Sequence, residues 1–166
     1  LYADQINTAT AGGSNVGYGG VVLGNIDGGA GNTGVGYGAL ERHTSGDHNT
    51  AIGWGSMNAN TTGAQNTALG VSSLVNNTSA SNNVAIGFQA VNNNTTGASN
   101  TGIGTQALQR NTTASNNTAV GFQSLDHNTT GTDNIGIGVS ALGANTTGDR
   151  NTSVGNSSLV TNTTGQ

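Results

Sequence analysis

Hydrophobic and polar positions repeat along this chain every 17 residues, without a single insertion. Asn stands at 15, 32, 49, 66, 83, 100, 117, 134 and 151, and each is taken here as position 1 of a unit. A β-branched residue, a small residue and an aliphatic or aromatic residue follow at positions 2 to 4. Gly comes at position 5, Ala or Ser usually at 8 and an aliphatic residue at 9, and Asn-Thr-Thr-Gly closes most copies. The stretch at 49–65, NTAIGWGSMNANTTGAQ, shows the whole unit. A fixed period of this length marks a repeat architecture and excludes the disorder that low hydrophobicity alone would suggest.

Two short strands and two turns fit into 17 residues. Period-2 alternation then assigns faces: positions 2 and 4 share one, as Thr50 and Ile52 do, and Ala51 opposes them. Positions 7 and 9 likewise form a second strand, with Leu40, Met57, Leu74, Val91, Leu108, Leu125, Leu142 and Leu159 opposite the small residues at position 8. A helix is excluded because recurrent Gly and Thr-Thr-Gly break the 3.6-residue period. Gly19, Gly36, Gly53, Gly70, Gly87, Gly104, Gly121, Gly138 and Gly155 fill position 5 in every copy, which predicts a corner with positive φ or close backbone approach. The position 1 asparagines are expected to stack into an amide ladder.

The predicted fold is therefore all-β, a parallel β-solenoid or β-roll of 17-residue coils, on the order of 45–50 Å long at the usual strand spacing. Residues 15–166 make nine coils, the last incomplete, in one continuous domain. Residues 1–14 are expected to be a partial coil, with Ile6 at the Leu position, Thr10 at a Thr and Gly12 at the loop Gly. Neither end carries a polar cap, so the ends are expected to stack on neighbours or to continue a longer array.

Composition sharpens this picture. Of 166 residues, 32% are hydrophobic and 29 are Gly, so an ordinary globular core is out of reach. Charged residues are 6%, with three Arg, no Lys and a net charge of −4, which argues against a nucleic-acid partner. Cys is absent, so disulfides and thiolate metal sites are excluded, and no stretch reads as a membrane span or signal peptide. Only positions 4 and 9 are dependably large and apolar. A core that thin predicts lateral association into a homo-oligomer.

NTAIGWGSM at 49–57, NVAIGFQAV at 83–91 and NTAVGFQSL at 117–125 resemble the head repeats of YadA-like trimeric autotransporter adhesins. The resemblance runs from Asn15 onward. It implies a left-handed roll, three chains packed side by side with positions 4 and 9 filling the roll and the trimer interior, and binding to host or matrix molecules outside the cell. The added Asn-Thr-Thr-Gly loop makes this unit longer than the family's usual coil. The arrays also resemble those of phage tail fibres, which leaves a tail-fibre segment as an alternative.

Several constellations carry possible chemistry. Position 12 supplies seven sequons in register, making Asn60, Asn77, Asn94, Asn111, Asn128, Asn145 and Asn162 candidate glycosylation sites if that loop is exposed. The alternative is turn geometry alone. Tyr37, Trp54, Phe88 and Phe122 at position 6 form an aromatic file suited either to packing against a neighbouring chain or to gripping a ligand. His43, Asp47 and His48 lie close in sequence, as do Asp126 and His127, but they occupy variable loop positions of different copies. Sporadic carboxylates do not make repeated calcium cages, and the Gly runs lack the Lys and helix of a phosphate loop. Catalytic, metal and cofactor sites are therefore not expected. Thr files at positions 2, 13 and 14 leave an ice-binding surface open as an alternative. The leading expectation is a non-enzymatic extracellular fibre or adhesin segment whose main partner is itself, with a host or matrix glycan or protein as a further partner.

Overall fold

The computed structural model describes residues 6–7 and 13–165, with side chains from Gly13 onward. Thr10 and Gly12 lie outside the described residues. The chain is an all-β solenoid with one strand per 17-residue coil. The strands are β1 (Ile6–Asn7), β2 (Val16–Tyr18), β3 (Thr33–Val35), β4 (Thr50–Ile52), β5 (Thr67–Leu69), β6 (Val84–Ile86), β7 (Thr101–Ile103), β8 (Thr118–Val120), β9 (Ile135–Ile137) and β10 (Thr152–Val154). They form one sheet in sequence order, and β2 to β10 are parallel and in register, Thr50 opposite Thr67 and Ile52 opposite Leu69. The first strand departs from expectation. Ile6 pairs antiparallel with Tyr18, so it does not occupy the Leu position of a preceding parallel coil.

The second predicted strand, over positions 7 to 9, does not form. Positions 7 and 9 both take left-handed backbone, as at Gln89 (φ 54°) and Val91 (φ 49°), and this turns the chain where a strand would extend it. Each such residue costs on the order of 1 kcal/mol and persists only where its surroundings fix it. Here they do, because the turn still bonds coil to coil. Leu74 N–H donates to Ala90 O at 3.0 Å and Ser72 N–H to Trp54 O at 2.9 Å, so the chain is stitched to its neighbours well beyond the strands.

Position 9 fills the interior. Leu40, Met57, Leu74, Val91, Leu108, Leu125 and Leu142 are fully buried, and the small residues at position 8 point inward with them. These side chains reach across to the strand. A Cβ added at Gly102 would lie 2.5 Å from Val91 Cγ2, and one at Gly136 would lie 2.7 Å from Ser124 Oγ. Position 3 must therefore be small and is the strand's inward residue. Positions 2 and 4 consequently face out, which corrects the expectation that position 4 shares the filling of the roll.

The corner glycines all take the predicted positive φ, and those with a further coil stacked on them also show the close backbone approach. Their φ runs from 117° at Gly36 to 137° at Gly70. A Cβ at Gly87 would also sit 2.6 Å from Gly104 O, so neighbouring corners stack backbone on backbone.

Candidate binding face and interior ladders

The interior is unusually polar because two columns of Asn run through it. In the first, at position 1, Asn49 N–H and Nδ2 both donate to Asn32 Oδ1, at 2.9 and 3.0 Å, and Asn49 Nδ2 also reaches Gly63 O at 2.8 Å. The amide ladder expected from the sequence is thus formed.

A second ladder occupies position 12, and it overturns the expectation of exposed glycan acceptors. Asn60, Asn77, Asn94, Asn111, Asn128 and Asn145 are fully buried, and Asn162 in the last coil is half-buried. Asn94 Nδ2 donates to Asn77 Oδ1 at 3.1 Å and to Gly97 O at 2.8 Å. Both amide hydrogens are engaged, so a sugar linked to that nitrogen would break the ladder and would have no route to solvent. The sequon's first Thr is committed as well: Thr95 Oγ1 donates to Thr112 O at 3.0 Å. Its second hydroxyl, at position 14, is exposed.

His43 takes the place of Asn in this ladder. It is buried, with Nε2 2.7 Å from Gly46 O and Nδ1 3.1 Å from Asn60 Nδ2. Burial holds its pKa below the usual imidazole value, against the pull of its hydrogen bonds and of Asp47. Its sequence neighbours do not join it in a site. Asp47 Oδ1 accepts from Ala30 N–H at 2.8 Å, and His48 is exposed. Asp126 and His127 do meet, with Oδ2 3.3 Å from Nδ1, while that same Nδ1 lies 2.9 Å from Gly143 O. Burial raises the Asp126 pKa, only partly offset by the charges of His127 and Arg110. Asp149 is shifted the opposite way, lowered by hydrogen bonds from the Thr132 backbone and side chain.

The outward face gathers the apolar residues that the interior does not use. Val35, Ile52, Leu69, Ile86, Ile103, Val120 and Ile137 line the sheet at position 4, half-buried to exposed, with Thr at position 2 beside most of them. The aromatic file lies next to this row. Tyr37, Trp54, Phe88 and Phe122 are 56%, 58%, 47% and 45% exposed, and the Tyr37 and Trp54 rings stack with centroids 6.5 Å apart and planes 13° from parallel. From Asn15 onward every charged residue falls between positions 10 and 17, which leaves positions 2 to 9 free of charge.

One grouping escaped the sequence reading, which singled out only its Tyr37 and Trp54 rings. Tyr37, Gly38, Glu41, Trp54, Gly55, Asn58 and Val75 surround a notch of about 290 Å³. The available signal was the pair of glycines at position 7 beside the two largest aromatic rings. Comparison with family models, with characterised proteins and with solved structures finds no match.

Proposed function

We propose that this chain is a non-enzymatic fibre or adhesin segment, displayed outside the cell, whose outer sheet face packs against further copies of itself. The observation that supports this most directly is the outward turn of position 4. It sets a continuous row of Val, Ile and Leu on a face without charge, and exposed apolar rows of this kind mark interfaces. A second copy suits that row because both carry the same in-register spacing, so ridges and gaps match along the whole length. Phe88 and Phe122 extend the contact at one margin. The likeness of the NTAIGWGSM-type repeats to trimeric adhesin heads makes three chains side by side the favoured arrangement.

Sedimentation analysis tests the reading. The protein is expected to run as a trimer or larger assembly, and Ile86→Glu with Ile103→Glu is expected to release folded monomers. A native chain that stays a folded monomer at micromolar concentration would overturn it. The Thr file at position 2 supports a second reading, an ice-binding sheet face, and thermal hysteresis in the unassembled protein would favour that instead.

A further inference from the structure

We propose that the notch beside Trp54 is a binding subsite for a neutral glycan, an activity additional to self-association. Four features converge there. Tyr37 and Trp54 are each more than half exposed and stack on each other near-parallel, which lines the notch with aromatic ring surface, and the C–H faces of pyranose rings pack on such surfaces. Below them Glu41 and Asn58 supply polar groups already held in place. Asn58 Nδ2 donates to Glu41 Oε2 at 2.8 Å and to Gly38 O at 3.0 Å. Glu41 Oε1 and Asn58 Oδ1 accept no hydrogen bond from any described residue, so both remain available to sugar hydroxyls.

The third feature is the space itself. Gly38 and Gly55 occupy position 7 with φ of 68° and 63°, but the backbone does not demand glycine there. Ser72, Gln89, Gln106, Gln123 and Ser140 hold the same conformation with side chains at φ of 53° to 59°. Beside the other two aromatic residues, Phe88 and Phe122, the corresponding positions are Gln89 and Gln123, and Gln123 Nε2 reaches across to Gln106 Oε1 at 3.1 Å. Glycine thus opens the coil surface only where the two largest rings stand. The fourth feature is size: the notch falls just below the usual range of ligand pockets, roughly room for one sugar ring with the rest of a chain lying along the axis. With a carboxylate on its wall, the site selects neutral over acidic sugars.

The sister coils supply variants that the fold already tolerates. Gly55→Gln copies positions 89, 106 and 123, and Trp54→Val copies position 71. Trp54 is the chain's sole Trp, so its emission reports on the notch directly. Titrating the native protein with neutral oligosaccharides built on glucose, galactose, mannose or N-acetylglucosamine is expected to give a saturable change in Trp54 emission with at least one of them. Calorimetry with that sugar is expected to show roughly tenfold or greater weakening in Gly55→Gln and Trp54→Val. Sedimentation of Gly55→Gln is expected to match the native protein. No saturable change with any sugar would overturn the proposal, as would undiminished binding by Gly55→Gln. Loss of self-association in Gly55→Gln would also overturn it, by assigning the notch to the interface between copies. A monomeric native protein that still binds sugar would instead refute self-association and leave the subsite standing.

Discussion

Asn60 donates from Nδ2 to Nδ1 of His43 at 3.1 Å, and this fixes the imidazole as an Asn substitute inside the solenoid. An amide nitrogen can only donate, so Nδ1 must be the acceptor and Nε2 carries the proton toward Gly46 O, 2.7 Å away. Protonating Nδ1 would set donor against donor in a buried site. Because burial lowers the folded-state pKa below 6.5, the unfolded chain takes up the proton first as pH falls. The contribution of His43 to stability is therefore complete above pH 6.5 and declines as pH falls through the window beneath it. Thermal melts at about pH 8 and about pH 5 should show this loss in the native protein, and His43→Asn, which restores the ladder residue of later coils, should reduce it. Equal pH slopes for the two proteins would refute the assignment.

Asp126 presents the opposite sign. It stands at position 10, where Asn58 and Asn92 donate to the position 7 carbonyls of the preceding coil, Gly38 O at 3.0 Å and Ser72 O at 2.9 Å. An ionised carboxylate cannot donate, and Asp126 Oδ1 is buried without a hydrogen-bond partner among the described residues. Its folded pKa is raised above 3.8, so the ionised group costs stability at neutral pH, and that cost recedes as pH falls toward 3.8. Asp126→Asn should gain on the order of 1 kcal/mol in neutral urea melts. A loss of stability would mean that the contact with His127 outweighs the burial.

Gly87→Val meets two obstacles at once. Its φ of 129° is a region that side-chain-bearing residues avoid, and the added Cβ would stand 2.6 Å from Gly104 O and 2.7 Å from Gly104 C. Neither atom is a flexible side-chain end that could move aside. The strained φ alone costs roughly 1–3 kcal/mol, and the backbone clash carries the total to about 3 kcal/mol or more. Hydrogen exchange should show protection lost first in the coils around 87 and 104. Unchanged protection there would sink the account of stacked corners.

The repeat made the solenoid, the corner glycines and the position 1 ladder legible, because each depends on one residue type recurring at one spacing. Which strand face turns inward was less accessible. Ile52 and its counterparts are the larger apolar residues of the strand, and size suggested the core. The deciding constraint comes from the far wall, where Val91 and Ser124 reach across and leave room only for Gly at 102 and 136. The invariably small position 3 carried that information. The second strand failed for a reason that residue types do not announce: Val91 and Leu108 are ordinary strand formers held in left-handed backbone by coil-to-coil hydrogen bonds. The notch depended on Gly38 and Gly55 lying beside rings that only the folded coils bring together.

The position 12 sequons separate a structural Asn from a modified one, and Asn111 with Thr113 makes the comparison. Asn111 Nδ2 donates to Asn94 Oδ1 and to Ala114 O, each at 2.9 Å, and its Oδ1 accepts from Asn128 Nδ2 at 3.2 Å. Replacing it by Ala strands Asn94 Oδ1 and one amide hydrogen of Asn128 inside the coil, while Ala114 O keeps its bond from Asn100 Nδ2 at 2.8 Å. Each unpaired group costs about 1–3 kcal/mol, less whatever relaxation and entering water recover, so Asn111→Ala should lose roughly 2 kcal/mol or more. Thr113 is exposed, and its hydroxyl makes no hydrogen bond to a described residue. Thr113→Ala removes the same sequon and should shift stability by no more than about 0.5 kcal/mol. Were the sequon glycosylated, both variants would lose the same sugar mass and their phenotypes would converge. The buried ladder requires them to diverge in denaturant melts, with no N-linked sugar at residue 111 in either parent or variant by intact-mass spectrometry. An N-linked sugar on native Asn111 would show that this coil does not close as described.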